Sequence, residues 1–282
     1  MLLLAVPAWA DLTVASWNVR VFSTGSRNDI EIGLIAERLE QFDLIALQEV
    51  KDEEVVERTV VILARRGQSY ESIVGPPVGR AVTERYAFLW RPDKVSLTSQ
   101  GETYDDSLDL FIREPFAASF AAGRFDFTLA TVHVIFGSSV AERRREVAAL
   151  DYVYNWLQDA DTEEQDVILL GDFNLPFGDE TWKNLWPLHL YPVLGPAVPT
   201  MISDSEVYDN FWLNPGLTSE YTGMAGVDRF DETAFDGNDN AASLMVSDHR
   251  PIWATFRTDA DDDGPSEMTH IAPKGWAEIK SR

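Results

Sequence analysis

DVILLGDFN, residues 166–174, is an almost continuous apolar run that ends in a polar loop. An apolar run of this length predicts a strand that is buried on both faces of a sheet. DLIALQEV, residues 43–50, has the same pattern and ends in a polar pair. Apolar residues at helical spacing predict helices over 28–42, 52–66 and 139–158. Strands buried on both faces and interspersed with helices predict one layered α/β domain.

Further strands are predicted along the rest of the chain. LTVASWNV (12–19) alternates and is rich in β-branched residues, and YAFLW (86–90) follows a loop rich in glycine and proline. The segments before and after Gly123-Arg124 form a predicted hairpin, whose second strand covers 124–134. The last candidates are 206–213 and 249–256. Because no repeat or linker divides the chain, we expect a single domain over residues 11–257.

The composition narrows the class of function. A hydrophobic content of 45% is ample for a packed core, and the formal net charge is −24. That charge argues against loose, charge-driven binding to nucleic acid or to an anionic membrane. It leaves open a polyanionic substrate that is held by a local basic patch and a bridging divalent cation. The absence of cysteine excludes disulfides, thiolate catalysis and cysteine-ligated zinc.

Both ends of the chain differ from the domain between them. MLLLAVPAWA (1–10) ends in an A-x-A pattern, which is typical of a signal-peptide remnant and predicts a secreted or periplasmic protein. An apolar first strand is the alternative for this segment. Residues 258–282 form a predicted acidic tail. Within it D-x-D-x-D-G resembles half of a calcium-binding loop, but the twelfth position is His270, so a plain tail is favoured and a structural Ca²⁺ is kept as a hypothesis.

Polar side chains gather where the buried strands end. A single Asp or Asn after a strand is usually a turn former. Here six strands have such groups, and strand ends in an α/β fold lie along one edge, so we expect them to converge. The groups are Asn18, Gln48-Glu49, His133, Asp172 and Asn174, Asp209, and Asp248-His249.

These residue types suit one kind of chemistry. Carboxylates and amides prefer hard cations such as Mg²⁺, Mn²⁺ or Ca²⁺. Two histidines with acidic partners suit general acid and general base catalysis near neutral pH. A metal ion beside them stabilises the charge of a phosphoryl transition state. The sequence has no G-x-S-x-G nucleophile elbow and no phosphate-binding G-x-x-x-x-G-K loop. It therefore predicts phosphoester hydrolysis by water, with no covalent nucleophile.

A series of motifs adds a resemblance. WNVR, LQEV, TERYAFLWRPDKVS, IREP, TVHV, GDFN, YDN and SDHRP occur between about residues 12 and 257. Their order resembles the endonuclease/exonuclease/phosphatase superfamily, and ERYAFLWRPDKVS with REP resembles its secreted deoxyribonuclease I branch. The resemblance implies a four-layer α/β/β/α sandwich with its active site at one edge of the paired sheets. It also implies Mg²⁺- or Mn²⁺-dependent cleavage of DNA that leaves 5′-phosphates, with little sequence specificity.

The resemblance also assigns roles to residues. It implies two acid/base pairs, His133 with Glu84 and His249 with Asp209, without deciding which histidine is the base. The implied metal ligands are Glu49, as the principal one, with Asn18 and Asp248. Asp172 and Asn174 are implied to hold the metal, the attacking water or the scissile phosphate. Arg20 and Arg113 are implied to reach phosphates.

Some positions depart from the pattern of that branch. In that branch an aromatic residue that enters the minor groove stands at the position of Val82, and an arginine usually follows Y-D at the position of Asn210. The basic residue after Q-E-V is Lys51 in this chain. This weakens the inference to double-stranded DNA but not the inference to hydrolysis. The run 143–145 is interpreted as a solvated helix face whose arginines pair with Glu142 and Glu146, and a replacement basic patch for DNA is the alternative. Arg250 is interpreted as a surface charge.

Two other functions stay open. A phosphatase or phosphodiesterase of the same superfamily would act on inositol phosphates, lipids or nucleotides. A binding protein that has lost turnover is disfavoured, because no metal ligand or histidine of the pattern is missing. The expected partner is DNA, with RNA as a further candidate substrate, and we expect a monomer without a stable protein partner or membrane contact.

Overall fold

The apolar runs of the sequence form two β-sheets in the computed structural model, which describes residues 11–161 and 164–261. The strands of the described residues are β1 (Leu12–Phe22), β2 (Leu44–Val50), β3 (Glu71–Val74), β4 (Arg85–Trp90), β5 (Ser96–Leu97), β6 (Glu102–Thr103), β7 (Phe116–Ala122), β8 (Phe125–His133), β9 (Val167–Asp172), β10 (Tyr191–Pro192), β11 (Asp209–Leu213), β12 (Tyr221–Val227) and β13 (Ile252–Phe256). The helices are α1 (Asp29–Leu39), α2 (Glu53–Arg65), α3 (Val140–Ala148), α4 (Leu150–Ala160), α5 (Phe230–Ala234) and α6 (Asp239–Met245), with a 3₁₀-helix over Glu180–Leu188.

The first sheet has the order β12-β13-β1-β2-β4-β3, and the second has the order β10-β11-β9-β8-β7-β5, with β6 beside β7. One parallel pair lies at the centre of each sheet, β1 with β2 and β8 with β9. The strands that flank these pairs, β4, β13, β7 and β11, run antiparallel to them. The carboxyl ends of the parallel strands therefore meet the beginnings of the flanking strands at one edge of each sheet.

Three hydrophobic layers hold the sheets and helices together. Alternate residues of a strand face opposite sides, so Val14 of β1 packs between the sheets while Trp17 faces the helices. The layer between the sheets includes Phe88 and Phe127. The outer layer of the first sheet includes residues of α1 and α2, and that of the second sheet includes α3, α4 and the 3₁₀-helix. The protein is thus a single-domain α/β/β/α sandwich of four layers.

Local sequence signals define several element ends. Asn28 caps α1 in a reciprocal capping box with Glu31, and Asp52 caps α2. The predicted helix over 139–158 is instead two helices that meet at Ala149. No predicted strand corresponds to β12, whose residues are half-buried or exposed.

Some predictions concern residues outside this description. The predicted leader (1–10) lies outside the described residues, and of the predicted tail only 258–261 are described. The exported location and the calcium hypothesis therefore stay predictions. Over 11–161 and 164–261, every helix is too short or too polar to cross a bilayer.

Candidate active site

The first histidine–carboxylate pair lies where β8 ends and β4 begins. His133 Nδ1 lies 2.5 Å from Glu84 Oε1, and both side chains are buried. Two cations also bind Glu84: Arg113 Nε at 3.0 Å and Lys51 Nζ at 3.1 Å. Burial opposes the charged form of Glu84, but the imidazole and the two cations outweigh it and lower its pKa to about 2. Glu84 is therefore ionised at neutral pH and accepts a hydrogen bond from Nδ1, which leaves Nε2 facing the site.

The second pair lies between β11 and the segment before β13. His249 Nδ1 lies 2.9 Å from Asp209 Oδ2, and both residues are buried. Burial opposes a charged imidazole, but the carboxylates of Asp209 and Asp172 outweigh it and raise the pKa of His249 to about 10. His249 therefore carries a positive charge at neutral pH, and its Nε2 is a hydrogen-bond donor.

Asp172, the last residue of β9, lies between the two pairs. Its Oδ2 is 3.5 Å from His133 Nε2 and 3.6 Å from His249 Nε2. Asn174 fixes this carboxylate with two donors, its backbone N–H to Oδ1 at 2.9 Å and its amide to Oδ2 at 3.2 Å. Both imidazoles therefore present Nε2 to the same carboxylate oxygen of Asp172.

The predicted metal ligands belong to strands of the first sheet or to the segment before β13, and one of them, Asn18, contacts Asp172. Asn18 donates to Glu49 Oε1 at 3.1 Å and to Asp172 Oδ2 at 3.0 Å, while its Oδ1 accepts from the backbone of Arg20. Glu49 is half-buried, and Asp248 is also partly exposed, with Arg20 Nε 3.9 Å from Asp248 Oδ1. Asn18 thus bridges the carboxylates of Glu49 and Asp172, while Asp248 lies beside Arg20.

The backbone at this edge is strained. Arg20, Val21, Glu49 and Asn174 have φ values of 44°, 49°, 60° and 50°, in the left-handed region that non-glycine residues rarely adopt. A β-branched residue such as Val21 is especially unfavourable there. The turn brings the Val21 N–H to within 2.8 Å of Glu49 Oε2. Strain of this kind is typical of sites whose geometry serves function rather than stability.

Two sets of residues could hold a cation. Among the described residues, Asp172, Asp209 and His249 place their ligand atoms within 4.8 Å of one another. In this set the neighbouring carboxylates keep the His249 imidazole positively charged. A positively charged imidazole repels a cation and cannot serve as its ligand. The set of Glu49, Asn18 and Asp248 offers oxygen ligands only, which fits a hard divalent ion. Of the two sets, the oxygen set therefore fits a hard divalent cation better than the set that contains His249.

The two arginines predicted to reach phosphates are placed differently. Arg113 is drawn inward, where its Nη1 donates to the His133 carbonyl at 2.9 Å and its Nε binds Glu84. Arg20 lies at the exposed rim, where its Nη1 donates to the Ser243 carbonyl at 2.7 Å. In this arrangement Arg113 orients the first pair, and Arg20 is the arginine that lies nearer to solvent.

The interpretation of the arginine run 143–145 as a solvated face is wrong for Arg143. Arg143 is buried, and its guanidinium lies 3.7 Å from the centroid of the Phe136 ring. Glu146 is also buried and accepts backbone N–H groups rather than an arginine. Arg144 does lie at the surface, but it pairs with Asp179. The helix turns one arginine inward because the loops after β8 and β9 leave backbone carbonyls for it to bind.

The interpretation of Arg250 as a surface charge is also wrong. Its side chain is 0% exposed and makes a two-point contact with Asp231, which is equally buried, at 2.8 and 2.5 Å. It also binds Asp204 at 2.5 Å and the carbonyls of Pro199 and Ile202. Its backbone N–H donates to the Thr200 carbonyl at 2.7 Å. Arg250 directly follows His249 in the chain. Its contacts therefore tie the segment 199–204 and α5 to the backbone next to that histidine.

Several residues support the site through contacts that carry no signal in the sequence. Gln48 Nε2 bridges the sheets by donating to Ser16 of β1 and Thr131 of β8. Ser247 accepts from the His249 N–H and donates to the Asn18 carbonyl. Further support comes from Trp17, which donates to the His249 carbonyl, and from Tyr86, which accepts from the His133 N–H. Each of these residues has at least one partner that is distant in the chain, so only the folded structure reveals the contact.

Gly171 explains how β9 brings Asp172 so close to His133. A Cβ at this position would lie 2.0 Å from the Val132 carbonyl oxygen of β8, and the φ of Gly171 is +143°. Only glycine fits such an approach. The glycine of GDFN therefore sets the spacing between the strands that end in His133 and Asp172.

Comparison with known proteins identifies the family of the chain. Residues 15–249 match the Endonuclease/Exonuclease/phosphatase family. A protein of Thioalkalivibrio sp. (strain K90mix) named Deoxyribonuclease is 33% identical over 269 residues, which cover 91% of this chain and 74% of that protein. Deoxyribonuclease-1 of Equus caballus is 29% identical over 272 residues, which cover 87% of this chain and 92% of that protein.

The fold is shared with solved structures as well. The 3′ phosphatase NExo from Neisseria, solved with a product DNA hairpin, has a TM-score of 0.60 at 18% identity and covers 87% of this chain and 99% of that chain. At such identity the likeness concerns the fold alone. The family match covers most of the sequence. The chain therefore belongs to the endonuclease/exonuclease/phosphatase family of metal-dependent hydrolases.

Proposed function

We propose that the protein is a divalent-metal-dependent endonuclease that hydrolyses DNA phosphodiester bonds to 5′-phosphate products with little sequence specificity. The observation that carries the proposal is the convergence of two buried histidine–carboxylate pairs on one oxygen of Asp172. A phosphodiester needs a proton removed from water and a proton given to the leaving oxygen, and two imidazoles suit these tasks.

The residues divide the work of an in-line displacement. A charged His249 donates a hydrogen bond from Nε2 to a phosphoryl or leaving oxygen, and the Asp209 carboxylate holds the imidazole in this form. The His133 imidazole, oriented by Glu84, is then the candidate to take the proton of the attacking water. Asp172 accepts hydrogen bonds beside both Nε2 atoms and so orients that water.

Glu49, Asn18 and Asp248 are the residues that would hold the divalent ion. When bound, Mg²⁺ or Mn²⁺ would neutralise charge on the phosphate and stabilise the charge of the transition state. These side chains are partly exposed or bridge to Asp172, so a bound ion would lie within reach of the substrate phosphate.

DNA is proposed as the substrate because relatives that align along most of the chain are named deoxyribonucleases. The chain lacks two of the side chains that would contact a DNA groove. Val82 is 70% exposed but has no aromatic ring, and Asn210 is buried and hydrogen-bonds the backbone of Leu194. We therefore expect cleavage with weak duplex selectivity. RNA stays a candidate substrate, and a monomer in solution stays our prediction.

A substrate comparison tests this proposal. We expect nicking of supercoiled plasmid and cleavage of single-stranded DNA with Mg²⁺ or Mn²⁺, and product ends that carry 5′-phosphate. RNA, bis-p-nitrophenyl phosphate and an inositol polyphosphate are assayed under the same conditions. If inorganic phosphate is released from the inositol compound faster than DNA is cut, the protein is a phosphatase of the family and the endonuclease proposal is wrong.

A further inference from the structure

We propose that Phe136, with Arg143 beneath its ring, forms a stacking platform for an unpaired nucleobase next to the scissile phosphate. This inference rests on the proposed function and adds a preference among its substrates. The class of ligand is a nucleobase in a single-stranded or frayed segment of DNA.

Phe136 combines exposure with a position beside the catalytic histidine. The side chain is 54% exposed, although phenylalanine is ordinarily buried. It follows His133 by three residues. Three residues of extended chain span at most about 11 Å, so the ring lies within reach of a nucleotide that flanks the phosphate at His133.

The ring is held in place by buried groups. The Arg143 guanidinium lies 3.7 Å from the ring centroid, and its Nε donates to the Phe136 carbonyl at 2.7 Å. The next residue toward His133, Ile135, donates its backbone N–H to Glu146 at 2.9 Å. Arg143 and Glu146 are both buried on α3. An exposed ring that is fixed in this way binds a ligand with little loss of conformational entropy.

The same arginine connects the platform to the catalytic residues. Its Nη1 donates to the Asn174 carbonyl at 3.1 Å, and Asn174 in turn fixes Asp172 with two hydrogen bonds. Asn174 also donates its amide to the Val134 carbonyl at 2.9 Å. The ring and the carboxylate between the histidines are therefore positioned by one hydrogen-bonded unit.

A nucleobase is the ligand that matches these features. The guanidinium occupies one region over the ring, and the exposed remainder offers an apolar, planar surface. Bases stack on aromatic side chains irrespective of sequence, which suits an enzyme of low specificity. A protein of net charge −24 gains little general attraction for DNA, so stacking supplies binding that charge does not. In a duplex the base faces are covered by neighbouring pairs, so the platform favours unpaired DNA.

The test compares binding of two fluorescent single-stranded oligonucleotides of equal length. One carries normal bases, and the other has abasic sites throughout its central part. Binding is measured by anisotropy in EDTA, so that turnover is not required. We expect Phe136→Ala to weaken binding of the normal oligonucleotide about tenfold and to leave binding of the abasic one unchanged. Phe136→Trp should restore normal binding.

The control is Tyr152→Ala, which removes a similarly exposed aromatic residue of α4. If Phe136→Ala weakens binding of both oligonucleotides equally, or of neither, the proposal of a stacking platform is wrong. Cleavage of the normal oligonucleotide by the wild type in Mg²⁺ is recorded separately. If the wild type does not cleave this oligonucleotide, the proposed function is wrong. The binding comparison tests only the stacking platform.

Discussion

His249→Ala is expected to lower kcat for plasmid nicking by about 10²–10⁴-fold, the contribution typical of a positioned acid or base. The substitution removes the charged imidazole whose Nε2 lies 3.6 Å from Asp172 Oδ2. It also leaves Asp209 buried without the donor that binds its Oδ2. KM should change less than kcat, because the lost interaction acts on the transition state.

His189→Asn is the matched control for this substitution. His189 lies at the end of the 3₁₀-helix with a φ of 57°, a conformation that asparagine tolerates. The control should retain full activity, and thermal unfolding of both variants checks that each is folded. A folded His249→Ala protein that nicks plasmid at the wild-type rate would disprove the acid–base assignment.

Arg250→Met is expected to reduce the free energy of unfolding by about 3–5 kcal/mol, as when one partner of a buried ion pair is removed. The substitution leaves Asp231 with an uncompensated charge where both side chains are 0% exposed. It also releases the segment 199–204, whose Ile202 N–H donates to the Asp248 carbonyl. Urea unfolding followed by tryptophan fluorescence measures the change.

Arg229→Met is the control, because Arg229 binds the same Asp204 from the protein surface. That exposed pair should contribute no more than about 1 kcal/mol. Adding Asp231→Leu to Arg250→Met should recover part of the lost stability, since no buried charge then remains unpaired. A loss of less than about 1 kcal/mol in Arg250→Met would show that the buried pair is not a major determinant of stability.

Much of the fold follows from periodicity in the sequence. The runs that form β2 and β9 are apolar throughout because both faces of a central strand are covered. The missed strand β12 is half-exposed and contains Gly223 and Gly226, which weaken any alternating pattern. The break between α3 and α4 falls at Ala149, where neither glycine nor proline marks a helix end.

The site was predictable in its residue types but not in its supports. His133, Asp172 and His249 end or flank strands, so the convergence of their side chains follows from the topology of the sheets. The burial of Arg250 was not predictable, because its partners Asp231 and Asp204 lie 19 and 46 residues away. Arg143 likewise binds the carbonyls of Phe136 and Asn174, which belong to two separate loops. The left-handed backbone of Glu49 has no signal in its residue type.

The rate of plasmid nicking by the wild-type protein, measured in Mg²⁺ and again after addition of excess EDTA, tests the central claim most directly. The central claim is metal-dependent hydrolysis of DNA at the edge where Glu49, His133 and His249 lie. We predict rapid conversion of supercoiled to relaxed plasmid in Mg²⁺, complete arrest in EDTA, and recovery when Mg²⁺ is restored. Nicking that continues undiminished in EDTA, or no nicking with either Mg²⁺ or Mn²⁺, would contradict it.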